Sequence, residues 1–333
     1  MSTITPGVVQ PVAGGFNTTP AMSGTFIPIL WSSKLNAKFY TASVFGEIAN
    51  TNWEGEIKAL GDKIIIQNIP DIAISNYQTG AGISYQVPVP STITLQIDKA
   101  KSFAFQIADV LNLQAKPNLM DMFSNDASMQ MKVSIDSTVL YNTFSGADPA
   151  NKGITAGAKS GSYSLGSDAA PIVLTASNVL QTLMSLAGVL DEYNVPETDR
   201  YLLIDPYTRQ QLMTSNLAQA QFMGDATSIV RNGRIGAIDR FVVYVTNNLP
   251  KAGVGINTPY LSGDGTEATI ASTSGAKRRI IIAGHKSAIS FASQMTKVEQ
   301  VRNPYDFGDY VRGLNVYGYT VAKPQGLAYA VVA

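Results

Sequence analysis

The sequence contains no cysteine and a single histidine, His285. The missing cysteines exclude disulfides, thiolate nucleophiles and cysteine-ligated metals, and one histidine cannot form a cluster of imidazole ligands. Charge is also scarce, because 24 basic and 24 acidic residues cancel and charged residues make up 14% of the 333-residue chain; about 25% is usual. Without a basic excess, tight nucleic-acid binding by bulk charge is not expected. We predict no metal site and no cofactor.

Long apolar runs and targeting signals are missing as well. No stretch of eighteen apolar residues is present, so no membrane span is expected. Residues 1–33 carry no charged side chain, which excludes the positive n-region of a signal peptide. Together with the absence of cysteine, this favours folding in a reducing cytoplasm.

The residues that could carry chemistry are scattered. No Gly-x-Ser-x-Gly nucleophile elbow accompanies His285, so we expect a packed or surface histidine. Asp191 and Glu192 are adjacent, and on a helix adjacent side chains diverge, unlike an acid–base pair. The basic run at residues 277–279 is interpreted as a solvated strand end, since no aromatic residues are interleaved with it. We therefore predict that the protein is not an enzyme.

The first 24 residues contain three prolines and four glycines and cannot propagate a helix. Two interpretations stay open for this segment: a loose tail, or an arm that becomes ordered only against a neighbouring copy. Residues 29–49 are expected to be mainly helical, because their large apolar residues form a stripe.

A long hairpin is predicted next. Residues 63–67 and 91–98 read as its strands, and the second alternates strictly between apolar and polar side chains. Residues 72–97 carry no formal charge, and an uncharged edge invites pairing with other chains. The alternative is a hairpin folded onto its own domain, but we favour one that lies across another subunit. The candidate contacts on this hairpin are Tyr77, Gln78 and Tyr85.

The rest of the chain mixes helices and strands. Residues 118–145 contain neither glycine nor proline and predict a helix of about 40 Å. A helix is expected at 177–193, a second begins at Asp205-Pro206, and buried strands are expected at 201–204, 241–245 and 279–283. This alternation favours a central sheet with helices on its faces, in an α+β chain. Two long strands are predicted at 288–302 and 310–322.

Several motifs, in order along nearly the whole chain, resemble the major capsid protein family of tailed double-stranded-DNA bacteriophages. They lie at 26–35, 44–50, 61–66, 195–204, 236–250 and 307–318. The resemblance implies the tailed-phage major capsid protein fold, with an N-arm, an extended E-loop hairpin, a peripheral domain with a long spine helix and an axial domain with a central sheet. Encapsulin shells share this fold.

The resemblance also implies boundaries. The N-arm would be 1–26 and the E-loop 57–103; the peripheral domain would be 27–56, 104–199 and 284–322; the axial domain would be 200–283 and 323–333, with an inserted surface loop at 251–276. The implied function is structural: hexamers and pentamers form an icosahedral phage head in the host cytoplasm and enclose packaged double-stranded DNA without sequence-specific binding. Implied partners are copies of the chain, a scaffolding protein, a portal and an optional decoration protein. An encapsulin-like cellular compartment is the alternative.

Two departures from better-known relatives modify this expectation. Some relatives weld subunits by a lysine–asparagine bond with the lysine on the E-loop, but residues 72–97 contain no lysine, so we predict a shell without cross-links. Only about 26 residues precede the first predicted helix, which favours a separate scaffolding protein.

Four charged residues crowd the connection between the last two long strands. They are Arg302, Asp306, Asp309 and Arg312. Two interpretations stay open: some of them pair across subunits, or they form ordinary solvated pairs worth about 0–1 kcal/mol each.

Overall fold

The computed structural model describes residues 43–52, 63–70, 72–74, 76, 79, 85–108, 119–215, 236–252, 278–304 and 307–333. The predicted N-arm, nearly all of the inserted loop and three candidate contacts lie outside these residues. Those three contacts are Tyr77, Gln78 and Asp306.

Four α-helices lie in the described part of the chain: α1 (Phe45–Ile48), α2 (Leu119–Thr143), α3 (Val179–Glu192) and α4 (Pro206–Met213). The 25-residue α2 confirms the long predicted helix. Helix α4 begins as expected, because the Asp205 side chain accepts a hydrogen bond from the Thr208 N–H at 3.0 Å and Pro206 occupies the first helical position.

Eleven strands are described: β1 (Lys63–Asn68), β2 (Ser91–Gln96), β3 (Lys99–Ala108), β4 (Arg200–Ile204), β5 (Ala237–Ile238), β6 (Phe241–Val245), β7 (Lys251–Ala252), β8 (Arg278–His285), β9 (Ile289–Arg302), β10 (Gly308–Val321) and β11 (Leu327–Val332). The hairpin β1–β2 is a sheet by itself. Strands β3-β10-β9 form a second, antiparallel sheet, and β11-β8-β4-β6-β5 form a central sheet to which β7 adds at β8.

The central sheet is buried on both faces. Strand β4 shows this, because Leu202 and Ile204 face a cluster built with α3, whereas Tyr201 and Leu203 face a second cluster that contains α1 and α2. Both faces of a central strand therefore need apolar residues, which explains the continuous apolar run in the sequence. Helix α3 packs on this sheet, although the family resemblance assigns the helix to the peripheral domain. The domain boundaries therefore remain a prediction.

Helix α2 covers one face of the three-stranded sheet, and Lys101 of β3 anchors it. The Lys101 ammonium donates to the Ser134 carbonyl at 3.0 Å, the Ser134 hydroxyl at 2.7 Å and the Thr138 hydroxyl at 2.6 Å. Towards the start of α2, Phe123 and Met129 remain 43% and 49% exposed. The described residues therefore cover that end of the helix only in part.

The prediction of a solvated strand end at 277–279 was wrong for the two arginines. Arg278 is 1% exposed and its Nη1 lies 3.1 Å from Asp168 Oδ1. The Arg279 Nε lies 3.1 Å from Asp205 Oδ2, and its guanidinium stacks 4.0 Å above the Tyr207 ring. Arginine can be buried when it is paired, and the carboxylates that pair these two are distant in sequence.

Candidate functional site: two exposed surfaces

The hairpin ladder stops abruptly at its outer end. Strands β1 and β2 pair from Lys63↔Gln96 to Asn68↔Ser91. The next residues include Pro70, Pro88 and Pro90, which have no N–H to donate to a ladder. Beyond them the Ala73 N–H donates to the Gln86 side-chain carbonyl at 3.1 Å, so the two arms stay in register without backbone pairing.

The base of the hairpin, here called the root, packs on its own subunit. Alternate residues of a strand lie on the same face of the sheet. On one face of the root, the buried Leu95 and Ile97 form a cluster with Ala292 of β9 and Val316 of β10. The polar Thr92, Thr94 and Gln96 on the opposite face are exposed. The predicted alternation is thus confirmed, and for the root the alternative of folding onto its own domain is correct.

The outer part of the same apolar face is uncovered. Tyr85, Val87 and Val89 continue the parity of Leu95, and the register places Ile72 and Ile74 across from them. Their exposures run from 64% for Ile72 to 98% for Ile74. We call these five residues the distal hairpin face. Contiguous apolar surface of this kind marks an interaction site in a folded protein.

A glycine lets the root lie close to the body. A Cβ added to Gly318 of β10 would collide with the Gln96 carbonyl oxygen and lie 3.0 Å from the Ile97 Cα. Both contacts are with backbone, which cannot swing aside like the end of a flexible side chain. The direction in which the hairpin leaves the subunit therefore depends on this position.

The second exposed surface lies on the three-stranded sheet, on the face away from α2. In β10, Val311 and Gly313 point towards the helix side and are buried, whereas Tyr310, Arg312 and Leu314 are exposed. Across the ladder their partners on β9 include Val301 and Glu299. We call these residues (Glu299, Val301, Tyr310, Arg312 and Leu314) the outer sheet face. It continues the face that the hairpin root covers at Val316 and Gly318.

Three of the four charged candidates of this region lie in the described part of the chain, and these three are paired within it. The Arg312 Nε and Nη2 donate to Glu299 Oε2 at 2.9 and 2.7 Å. On the opposite face, Arg302 Nη1 lies 3.4 Å from Asp309 Oδ1 and the Gln300 amide donates to Asp309 Oδ2 at 3.0 Å. The outer sheet face therefore presents Val301, Tyr310 and Leu314 around the Arg312–Glu299 pair, next to the exposed Ser102 and Gln106 of β3. Additional pairing across subunits stays a prediction.

Sequence reasoning named Tyr85 and Arg312 but missed the other residues of the two surfaces. The missed apolar residues are Ile72, Ile74, Val87, Val89, Val301, Tyr310 and Leu314. A signal was present in the distal hairpin, where valines alternate with Pro88 and Pro90, because a proline-bearing strand favours an unpaired edge. For β9 and β10 no such signal existed, since both faces of these strands contain apolar residues.

The groups that could carry catalysis are used structurally. The His285 Nδ1 accepts a hydrogen bond from the Ser287 N–H at 3.1 Å, and burial lowers the pKa of His285, which favours the neutral ring. Asp191 and Glu192 diverge as predicted: Asp191 Oδ1 lies 2.7 Å from Arg200 Nη1, whereas Glu192 accepts from the Lys159 N–H at 2.7 Å.

Among the described residues, no three or more histidine, aspartate or glutamate side chains converge as metal ligands would. None of the helices in the described part of the chain has both the length and the apolar character needed to cross a bilayer.

The comparisons with known proteins point in one direction. A family model described as phage capsid protein matches residues 91–330, which is more than half of the chain. No curated protein sequence matches significantly.

Solved structures share the fold at low sequence identity. A structure from Mycobacterium phage Che8 is similar with a TM-score of 0.70 and 22% identity, over 92% of this chain and 97% of that one. The capsid structure of the cyanophage P-SCSP1u gives 0.68 and 17%, over 95% and 99%. The capsid of Ralstonia phage GP4 gives 0.61 and 12%, over 95% and 98%. The predicted tailed-phage major capsid protein fold is confirmed.

Proposed function

We propose that this chain, which belongs to the phage capsid protein family, assembles as hexamers and pentamers into an icosahedral head that encloses packaged double-stranded DNA. Its role as a structural protein of the phage capsid follows from the family. The finer statement rests mainly on one observation: each subunit exposes an apolar distal hairpin face and, on a different part of its surface, an apolar outer sheet face.

These two surfaces are complementary in character. Inside one subunit, the root of the hairpin already packs its apolar face against Ala292 and Val316 of the three-stranded sheet. The distal hairpin face continues the apolar face of the root. The outer sheet face continues the surface of the three-stranded sheet on which the root packs. We infer that the distal hairpin face of one copy covers the outer sheet face of the next. Such a head-to-tail contact closes into rings when the rotation between copies allows it, as hexamers and pentamers require.

The charge balance supports a container for DNA rather than a binder of it. A net charge of zero leaves no basic excess that would hold the phosphate backbone. Many modest contacts per subunit then stabilise the shell together, because linked contacts give a higher overall affinity than any single contact does. A scaffolding protein and a portal during assembly, an optional decoration protein, and residence in the virion after assembly in the host cytoplasm belong to the same proposal.

The domain division also stays part of this proposal. The N-arm (1–26) and E-loop (57–103) would reach neighbours, while the peripheral segments (27–56, 104–199, 284–322) and the axial segments (200–283, 323–333) form the body. The family match and the compared structures concern phage capsids, so an encapsulin-like compartment is not proposed.

The first test places one charge on either face of the hairpin. Val87→Glu adds a carboxylate to the distal hairpin face, and we expect shells to be lost while the circular dichroism spectrum and melting temperature of the subunit are kept. Gln86→Glu is the matched control, because it adds the same charge on the opposite face and keeps the oxygen that accepts from Ala73. Electron microscopy and sedimentation of the expressed protein give the readout. Equal assembly of both variants would exclude a role for this face.

The second test asks where the hairpin docks. Leu314→Lys alone should also reduce assembly, and combining it with Val87→Glu should restore shells in part, because the two new charges would meet across the interface. A double variant that assembles no better than Val87→Glu contradicts docking on the outer sheet face but leaves the shell itself in place. An expressed wild-type chain that forms no closed particles, alone or with its scaffolding protein, contradicts the proposed function.

A further inference from the structure

The long helix buries a carboxyl group that neither exposed surface uses. Asp136 of α2 is fully buried, with 0% of its surface exposed. Its Oδ1 accepts hydrogen bonds from the backbone N–H groups of Val44 at 3.0 Å and Phe45 at 2.9 Å. Its Oδ2 accepts from the side-chain amide of Asn248 at 2.6 Å. All three donors are neutral.

Three separate parts of the chain meet at this carboxyl group. Val44 and Phe45 begin α1, whose exit is held on β9 because the Asn50 N–H donates to the Ile289 carbonyl at 2.8 Å. Asn248 follows β6 of the central sheet, and its own N–H donates to the Thr246 hydroxyl at 3.1 Å. Asp136 therefore ties the long helix both to the segment that leads into the hairpin and to the central sheet.

Among the described residues, no charged side chain neutralises this group. The other titratable residues on the elements around it are Glu47 of α1, Tyr244 of β6, Lys99 and Lys101 of β3, and Asp121, Asp126, Lys132 and Tyr141 of α2. Lys101 is engaged by Ser134 and Thr138, Lys132 is exposed, and the pKa of Tyr244 is raised by burial and by Glu47. Burying a carboxylate without a cation costs free energy that neutral donors offset only in part.

We propose that Asp136 is a proton-dependent latch, which holds α1 and residues 246–250 on the long helix when protonated and favours their release when ionised. The protonated group keeps its bonds from Val44 and Phe45. Its new O–H group donates a hydrogen bond to the side-chain carbonyl oxygen of Asn248. The Asn248 side-chain amide must first flip, so that its oxygen rather than its nitrogen faces Asp136. Opening lets water reach the ionised group and removes its desolvation cost.

The direction of the pH dependence follows from burial, which raises the pKa of Asp136 above its ordinary value of 3.8. In an opened, hydrated state the group returns to that ordinary value. The closed state is therefore favoured most below about pH 3.8 and loses this advantage as the pH rises through the higher pKa of the buried group.

Hydrogen exchange of the full-length protein tests the latch directly, since the bonded N–H groups of Val44 and Phe45 are themselves observable. We expect protection factors of a peptide covering residues 43–50, corrected for intrinsic exchange, to fall several-fold between about pH 4 and pH 8. Asp136→Asn should flatten this profile because the amide does not ionise. Asp121→Asn, the same change at an exposed position of α2, should keep the wild-type profile.

Two further outcomes bear on the proposal. Asn248→Ala removes one donor from the carboxylate, and we expect the fall in protection to move to higher pH. A wild-type profile that is flat, an Asp136→Asn profile that keeps the wild-type slope, or an Asn248→Ala profile at the wild-type position would each overturn the latch.

Discussion

At the scale of single residues, the interior contains polar groups with very different surroundings. The Asp205 carboxylate forms a salt bridge with Arg279 of the central sheet. The side-chain amide of Asn151 donates hydrogen bonds to the backbone carbonyls of Gln325 and Leu327. The Tyr201 hydroxyl, in contrast, is buried and has no hydrogen-bond partner among the described residues, and burial raises its pKa. A buried hydroxyl without a hydrogen-bond partner lowers the free energy of unfolding, compared with the same side chain without the hydroxyl.

Tyr201→Phe should therefore stabilise the subunit by about 1 kcal/mol, because it removes the stranded hydroxyl and keeps the ring in its cluster. Tyr193→Phe is the matched control: that hydroxyl donates to Asp148 Oδ1 at 2.9 Å, and its loss should destabilise by about 1 kcal/mol. Urea unfolding followed by tryptophan fluorescence compares the two. A loss of stability in Tyr201→Phe would mean that its hydroxyl has a partner.

At the scale of elements, the described contacts of the hairpin with the rest of the subunit lie at its root. Two features fix its direction: the apolar cluster around Leu95 and Ile97, and the close approach of the chain to Gly318. The described residues of the outer half add no backbone ladder, because prolines interrupt both arms. A small change at the root is therefore transmitted to the whole distal hairpin face.

Gly318→Ala should destabilise the subunit by about 1–3 kcal/mol, since the added methyl group meets backbone and the root must shift. It should also lower the yield of shells, because a displaced root re-aims the hairpin. Gly46→Ala is the control, as a Cβ there meets nothing within 4 Å. Thermal melting measures the first effect and sedimentation the second; normal melting and normal shells in Gly318→Ala would contradict the role given to this position.

At the scale of the whole molecule, the described charged residues near the last connection (Arg302, Asp309 and Arg312) belong to pairs within one chain. Arg312→Glu places a carboxylate opposite Glu299, and the exposed pair it breaks is worth about 0–1 kcal/mol. We expect subunit stability to change little and shell yield to fall, because like charges then face each other on the outer sheet face. Lys286→Glu, an exposed reversal after β8, is the control. Unchanged yield in Arg312→Glu would favour the interpretation as solvated pairs.

The absence of lysine from residues 72–97 also affects the assembled particle. Purified particles boiled in SDS should run as one band of the single chain, because residues 72–97 of the hairpin offer no amine for a bond to a neighbour. A ladder of covalent multimers would contradict this expectation.

Much of the fold could be read from local pattern. The start of α4 follows from Asp205 and Pro206, because capping is decided by neighbours in sequence. The alternation of residues 91–97 fixed which side of β2 is apolar, since strand periodicity is also local. The resemblance of ordered motifs identified the family.

What local pattern left open was decided by contacts between distant residues. Whether an apolar face is covered or bare depends on what lies across from it, so Leu95 is buried and Val87 exposed although both share one face. Arg278 looked like a solvated strand end until Asp168, more than a hundred residues away, was placed beside it. Asp136 is buried because two segments that are distant in sequence close over it. Burial is a property of the assembled chain, and sequence periodicity cannot specify which partner supplies it.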